Sequence, residues 1–155
     1  MPDPAVLPEQ AEPHADYDQD YYAWLLDNAR LLREGRLAEA DVAHIAEELQ
    51  DIGNSERRAV ESFLRLLMLH LLKWRHQPAL RSSSWAQSIG NARFELEKRL
   101  ADSPSLRPRL PEFAARNYAG ARKGSARETG LPLDTFPADC PFTIEQMLDD
   151  DYWPD

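Results

Sequence analysis

The segment from Phe63 to Leu72 is the most apolar part of the chain, and it limits what the chain can fold into. It lies within a tract from Ser55 to Gln77 that ends before Pro78, because proline disfavours helical geometry in the residue before it. Two polar residues interrupt the run, which is roughly half the length that a membrane-spanning helix needs. The sequence therefore predicts a central helix of a helical bundle, with Leu66 to Leu72 in the interior.

The flanking tracts have the apolar spacing of amphipathic helices, and none alternates with the period of a strand. We expect a first helix from Asp16 or Asp18 to Gly35, a second over about 38–52, a fourth opening at Ser84, and a fifth ending near Glu128. A kink or short turn is expected at residues 53–55. The predicted apolar stripes are Tyr21, Leu25, Ala29 and Leu32; Val42, Ile45, Leu49 and Ile52; Trp85, Ile89, Ala92, Leu96 and Leu100; and Leu110, Ala114, Tyr118 and Ala121, with Phe94 on the opposite face of the fourth helix.

The segment from Thr129 to Asp155 is rich in proline but too apolar for a free tail. Thr143 and Gln146 have the spacing of a capping box, which predicts a short helix there. The predicted fold is an all-α, up-and-down helical bundle of about five helices with a C-terminal wrapping segment. Residues 17–155 are expected to form this single domain, and residues 1–16 a disordered acidic tail.

The charge is unevenly distributed. The net charge of −9 argues against generic binding to nucleic acid or anionic lipid, yet residues 57–127 hold 15 Lys or Arg against 5 Asp or Glu. Either the acidic ends fold back over the basic middle, or an acidic end masks a basic surface. Cys140 is the only cysteine, which excludes an intramolecular disulfide and fits the cytoplasm. Cys140 has no activating neighbour in sequence.

The signatures of common enzymes are missing, because the chain has no GxxxxGK[ST], GxGxxG, HExxH, GxSxG or CxxC motif. The run from Gly120 to Ser125 resembles a phosphate-binding loop only faintly, since no strand precedes it and its glycine spacing is too short.

Four residues of the central helix, His70, Lys73, Trp74 and Gln77, are spaced to share one side. Their polar groups then enter the core, where an unpaired group costs about 1 to 3 kcal/mol. The expected partner is a carboxylate, Glu48 or Glu56. The arrangement is either a structural network that fixes helix register or a pocket.

Glu48, Glu56 and His70 are also weak candidates for metal ligands, since imidazole and carboxylates bind transition metals. Asp41 and His44 form one acid-x-x-His pair, whereas bundle di-metal sites use two. A surface hydrogen bond between His44 and Glu48 is the simpler expectation, and no metal or cofactor is predicted.

Several segments, in the same order, resemble a bacterial family catalogued as domain of unknown function number twenty-nine. The segments are Tyr17-Asp18-Gln19-Asp20-Tyr21-Tyr22-Ala23-Trp24, Glu47-Glu48-Leu49 through Gly53 to Ser55-Glu56-Arg57-Arg58, His70-Leu71-Leu72-Lys73-Trp74, Gln77-Pro78, Ser84-Trp85, Ser103-Pro104-Ser105-Leu106, Glu128-Thr129-Gly130-Leu131-Pro132 and Cys140-Pro141-Phe142-Thr143. The resemblance implies an α-helical bundle and carries no activity onto these positions.

The leading functional interpretation is a non-enzymatic protein-interaction or regulatory module, whose partner is another protein or a second copy of the chain. One alternative is a metal- or ligand-binding protein or an enzyme with a polar site around His70 and Glu48. The other is DNA binding, because residues 42–64 resemble a helix-turn-helix in which Arg57 and Arg58 meet phosphates. The net charge argues against that alternative, and no membrane association is predicted.

Overall fold

The computed structural model describes residues 13–155, and within that range the secondary structure is entirely helical. Five α-helices, four of them long, confirm the predicted all-α class. They are α1 (Tyr21–Arg33), α2 (Val42–His76), α3 (Ser83–Asp102), α4 (Leu110–Thr129) and α5 (Ile144–Leu148), with short 3-10 helices at Pro78–Leu80, Pro104–Arg109 and Leu133–Thr135. Residues 1–12 of the predicted disordered tail lie outside the described residues. No described helix is long and apolar enough to cross a bilayer.

Residues 53–55 form no turn, because α2 continues through Gly53 without a break; the alternative of a kink there stays a prediction. The φ angle of Gly53 is not positive, so the backbone conformation at this position does not require glycine. One glycine inside a helix costs only about 1 kcal/mol relative to alanine, and the strong helix formers at 47–50 and 56–59 offset that cost. The predicted second and third helices are therefore one helix of 35 residues.

The described chain divides at Gly53 into two compact units, and α2 contributes to both. In the first unit, α1 begins after Asp20, whose side chain accepts a hydrogen bond from the backbone N–H of Ala23 at 3.0 Å. Asp16 and Asp18 are thus not the N-cap; Asp16 instead closes the preceding turn. Gly35, with φ of 71°, ends the helical segment as predicted. The prediction of a single domain over residues 17–155 stays a prediction.

The second unit, residues 53–155, holds the main hydrophobic core. Leu67, Met68, Leu71 and Leu72 of α2 are fully buried, which confirms the predicted interior segment in part: Leu69 and His70 are only partly buried, and Leu66 is 40% exposed. A helix presents only part of its circumference to a core, so one residue per turn in such a run faces outward. The other core residues are Val60, Leu64, Ile89, Ala92, Leu96, Leu100, Leu110, Phe113, Ala114, Tyr118, Ala121, Phe136, Phe142 and Met147.

Helices α3 and α4, which are the predicted fourth and fifth helices, face the core with their predicted sides. Phe94 points away from the core and is 67% exposed, as expected from its position opposite the apolar stripe of α3. The predicted cap at Ser84 is wrong, because the side chain of Ser82 accepts the hydrogen bond from the N–H of Trp85. Helix α4 ends at Gly130, whose φ of 72° is readily adopted only by glycine.

The C-terminal segment is anchored to the second unit by its own apolar residues and by Arg93. Thr143 and Gln146 form both hydrogen bonds of the predicted capping box at the start of α5. The guanidinium of Arg93, only 1% exposed, donates from Nε to the carbonyl of Met147 at 2.8 Å and from Nη2 to that of Tyr152 at 2.7 Å. Its spacing of four residues after Ile89 and three before Leu96 places this arginine on the apolar face of α3, a signal that could have predicted its burial.

Candidate functional site

The predicted polar residues of α2 lie in the second unit, and three of them contact neighbouring segments. Lys73 is 6% exposed; its ammonium lies 2.7 Å from a carboxylate oxygen of Glu128 and 4.5 Å from the ring centroid of Trp85. Gln77 donates a long hydrogen bond, 3.4 Å, to the carbonyl of Thr129. These contacts connect α2 to the end of α4 and to α3, as the interpretation of a structural network expects.

Trp74 packs against the C-terminal segment. Its ring centroid lies 4.6 Å from that of Trp153 and 5.2 Å from the guanidinium carbon of Arg81. Arg81 also donates to the carbonyls of Trp74 and Pro154. Trp74 therefore takes part in anchoring the chain terminus.

His70 is half-buried, and its Nδ1 has no hydrogen-bond partner among residues 13–155. Burial lowers the pKa of the imidazole, and the nearby Lys73 ammonium lowers it further. The ring is therefore neutral over a wider pH range than an ordinary histidine. Glu128, which pairs with Lys73, opposes this lowering of the pKa, but it forms no hydrogen bond with Nδ1 of His70.

The structure does not bring the two predicted carboxylate partners to His70. Glu56 lies on the same helix 14 residues earlier, about 21 Å away along the axis, and its carboxylate accepts two hydrogen bonds from Arg99. Glu48 belongs to the first unit, where both of its carboxylate oxygens accept hydrogen bonds from tyrosines. Among residues 13–155, no group of three or more His, Cys, Asp or Glu side chains is arranged to hold a metal ion.

In the first unit, polar groups of aromatic side chains and of His44 form hydrogen bonds with carboxylates. Tyr17 and Tyr21 donate to the two oxygens of Glu48 at 2.6 and 2.5 Å. These bonds lower the pKa of Glu48, and they raise the pKa of Tyr17 to about 12. The ring of His44 stacks on Tyr17 with centroids 4.1 Å apart. Residues 17–24 are thus held by these hydrogen bonds together with ring contacts and the burial of Trp24.

Asp41 completes this network. One of its oxygens accepts a hydrogen bond from the indole N–H of Trp24 at 3.1 Å and lies 2.6 Å from Nδ1 of His44. The hydrogen bond with Asp41 raises the pKa of His44. The expected hydrogen bond between His44 and Glu48 is therefore wrong, because each is held by a different partner.

An apolar groove, which we call the α1/α2 groove, runs between α1 and the first part of α2. Its lining consists of Trp24, Leu25, Asn28, Ala29, Leu32, Ile45, Glu48, Leu49 and Ile52, and its volume is about 160 Å³. Three residues of the predicted first stripe and three of the second meet in it. Leu49 is nevertheless 65% exposed and Ile52 60% exposed. The spacing identified these faces, but not the fact that they stay open to solvent.

Large apolar side chains are exposed mainly in the first unit. Of the fourteen that are exposed among residues 13–155, nine lie between residues 21 and 52. In the same stretch only Trp24 and Leu31 are fully buried apolar residues. Apolar stripes of amphipathic helices normally face a core, and a contiguous exposed patch marks a contact surface.

Two other candidates from the sequence are the segment 42–64 and Cys140. Residues 42–64, which resemble a helix-turn-helix, lie in one uninterrupted helix without the turn that this motif contains. The sulfur of Cys140 lies 3.8 Å from that of Met68, and burial raises the pKa of the thiol. A thiol with a raised pKa is a poor nucleophile at neutral pH.

The model of one protein family, described as Domain of unknown function DUF29, matches residues 17–153. The match covers most of the chain, from the tyrosine that binds Glu48 to the tryptophan that packs on Trp74, so the chain belongs to this family and the resemblance drawn from its sequence is confirmed. No curated protein and no solved structure is detectably similar to it.

Proposed function

We propose that this protein is a non-enzymatic protein-interaction module, and that the α1/α2 groove is its contact surface. The observation that supports this proposal is the pair of apolar stripes, one on each helix, that line the groove while Leu25, Leu32, Leu49 and Ile52 stay exposed. Leaving these side chains in water forfeits roughly 25 cal/mol for each Å² of apolar surface that a partner would cover.

The partner we propose is a cationic amphipathic helix of another protein. The groove is shallow, so it has room for apolar side chains of a partner but not for a whole helix. A helix laid along it would insert side chains one turn apart, as in other helix-in-groove complexes. Residues 17–52 hold nine Asp or Glu and three Arg, which favours a partner of opposite charge.

The charged surroundings of the groove also supply specificity. All three arginines of this stretch lie on or just after α1, and Arg36 is paired with Glu34 and Glu39. Asp51, beside Ile52, has no paired cation among the described residues and is exposed. Basic residues flanking the apolar stripe of a partner would meet such carboxylates, and this attraction weakens as salt is added.

The test is a calorimetric titration with a synthetic leucine–lysine peptide patterned as an amphipathic helix, with a leucine–glutamate peptide as the control ligand. The lysine peptide should bind with one-to-one stoichiometry, and the glutamate peptide should not. Leu49→Gln combined with Ile52→Gln should weaken binding at least tenfold, because two exposed apolar contacts are lost without disturbing a core.

A matched control is the pair Leu80→Gln and Phe94→Gln, since both side chains are as exposed as those of the groove but lie elsewhere. These changes should leave peptide affinity unchanged. Equal loss in both double variants would contradict the proposal, as would equal binding of the two peptides. Sedimentation at rising protein concentration shows whether a second copy of the chain occupies the groove instead.

We also propose that the protein is located in the cytoplasm. A cytoplasmic location fits a chain whose one cysteine is unpaired and partly buried.

A further inference from the structure

A second groove, which we call the α2/α4 groove, lies in the second unit between α2 and α4 and has a volume of about 410 Å³. Glycines on α4 let the two helices approach closely. A Cβ atom added at Gly124 would lie 2.6 Å from Cδ1 of Leu69, and one added at Gly120 would lie 3.4 Å from Cδ of Arg65. The glycines therefore form part of the groove floor, where larger side chains would fill it.

Three cations line this groove: Arg65 from α2, and Lys123 and Arg127 from α4. No ion pair joins any of the three to a carboxylate among residues 13–155. Most other arginines of the second unit are paired, for example Arg99 with Glu56. Arg58 and Arg75 also form no ion pair among the described residues, so what distinguishes the groove is that three such cations line one cavity.

The one carboxylate in the lining does not neutralise these cations. Glu128 lies 2.7 Å from the ammonium of Lys73 and is held by that pair. Ser62 of α2 adds a hydroxyl to the lining, and Leu66 adds an exposed apolar surface. The groove therefore combines positive charge with an apolar face.

We propose that the α2/α4 groove binds a small phosphorylated molecule. Its phosphate group is held by the side chains of Arg65, Lys123 and Arg127, and its apolar portion rests on Leu66. Arginine matches the geometry of phosphate oxygens with parallel N–H donors, and lysine adds a point charge. The helical backbone N–H groups of Gly120 and Gly124 are used within α4, so recognition rests on side chains and differs from that of a glycine-rich phosphate loop. The groove is also large enough for a phosphate with an organic body.

The probe is phenyl phosphate, measured by calorimetry with the full chain; phenol supplies the ring alone and inorganic phosphate the charge alone. Phenyl phosphate should bind one molecule per chain and more tightly than inorganic phosphate, and phenol should not bind. Lys123→Gln or Arg127→Gln should weaken it about tenfold each, because a charge-assisted hydrogen bond is lost. Both side chains are exposed, so the fold tolerates the changes.

Two further variants separate a built site from general attraction of anions. Lys98→Gln removes an exposed lysine of α3 outside the groove and should leave affinity unchanged. Gly120→Leu fills the groove floor without changing charge and should also weaken binding about tenfold. The proposal is wrong if Lys98→Gln weakens binding as much as Lys123→Gln, if Gly120→Leu binds normally, or if a short DNA duplex binds at these residues and phenyl phosphate does not.

Discussion

Replacement of Arg93 by methionine should destabilise the protein more than any exposed arginine substitution. The buried guanidinium donates two short hydrogen bonds, to the carbonyls of Met147 and Tyr152, and two long ones at 3.4 Å to those of Gln146 and Asp150. Methionine fills similar space but leaves these carbonyls without a donor. Each short bond to a charged donor is worth about 1.5 to 3 kcal/mol, so the expected loss is about 3 to 6 kcal/mol.

Thermal unfolding followed by circular dichroism measures this loss. At about 2 to 4 °C per kcal/mol for a chain of this size, the melting temperature should fall by about 6 to 24 °C. Arg107→Met is the matched control, because Arg107 forms an exposed ion pair with Glu97 that is worth less than about 1 kcal/mol. A loss below 1 kcal/mol in Arg93→Met would refute the assignment of Arg93 as the anchor of the C-terminal segment.

Three further predictions test other parts of the structure. Asp41→Asn should lower the pKa of His44 in an NMR titration, because the substitution removes the hydrogen bond that raises this pKa. The stability that the pair of Asp41 and His44 adds is present below the unfolded-state pKa of His44. It is lost as the pH rises through the folded-state pKa. Gly53→Ala should stabilise the protein by about 1 kcal/mol in urea unfolding, since nothing lies within 4 Å of the added Cβ atom and α2 is continuous there; a loss of stability would favour a kink. Gly124→Val should cost about 1 to 3 kcal/mol in the same assay, because the added atoms overlap Leu69.

The sequence predicted the all-α class and most of the core because apolar spacing reports directly on which face a helix buries. The stripe of Leu110, Ala114, Tyr118 and Ala121 is buried as expected. The capping box at Thr143 is also local, and it forms as its spacing indicated. Helix boundaries were less predictable: Ser82 and Ser84 are both good caps, and only the backbone geometry decides between them.

The candidate sites were harder to predict, because they depend on contacts between distant segments. The partner of Lys73 is Glu128, 55 residues away, and the network of Tyr17 with Glu48 joins residues 31 apart. The spacing of Leu49 and Ile52 showed an apolar face without showing that it would remain exposed. The spacing of Arg93 from Ile89 and Leu96 indicated the buried face of α3, but not its acceptors, which are backbone carbonyls that any sequence provides.

The proposed contact surface is tested most directly by a ¹H–¹⁵N NMR titration of the labelled protein with the leucine–lysine peptide. Chemical-shift changes should be confined to residues of α1 and the first part of α2, centred on Leu25, Leu32, Leu49 and Ile52. Changes centred on α3 or α4, or no change at a peptide concentration that saturates calorimetric binding, would contradict a role for the α1/α2 groove in binding a protein partner.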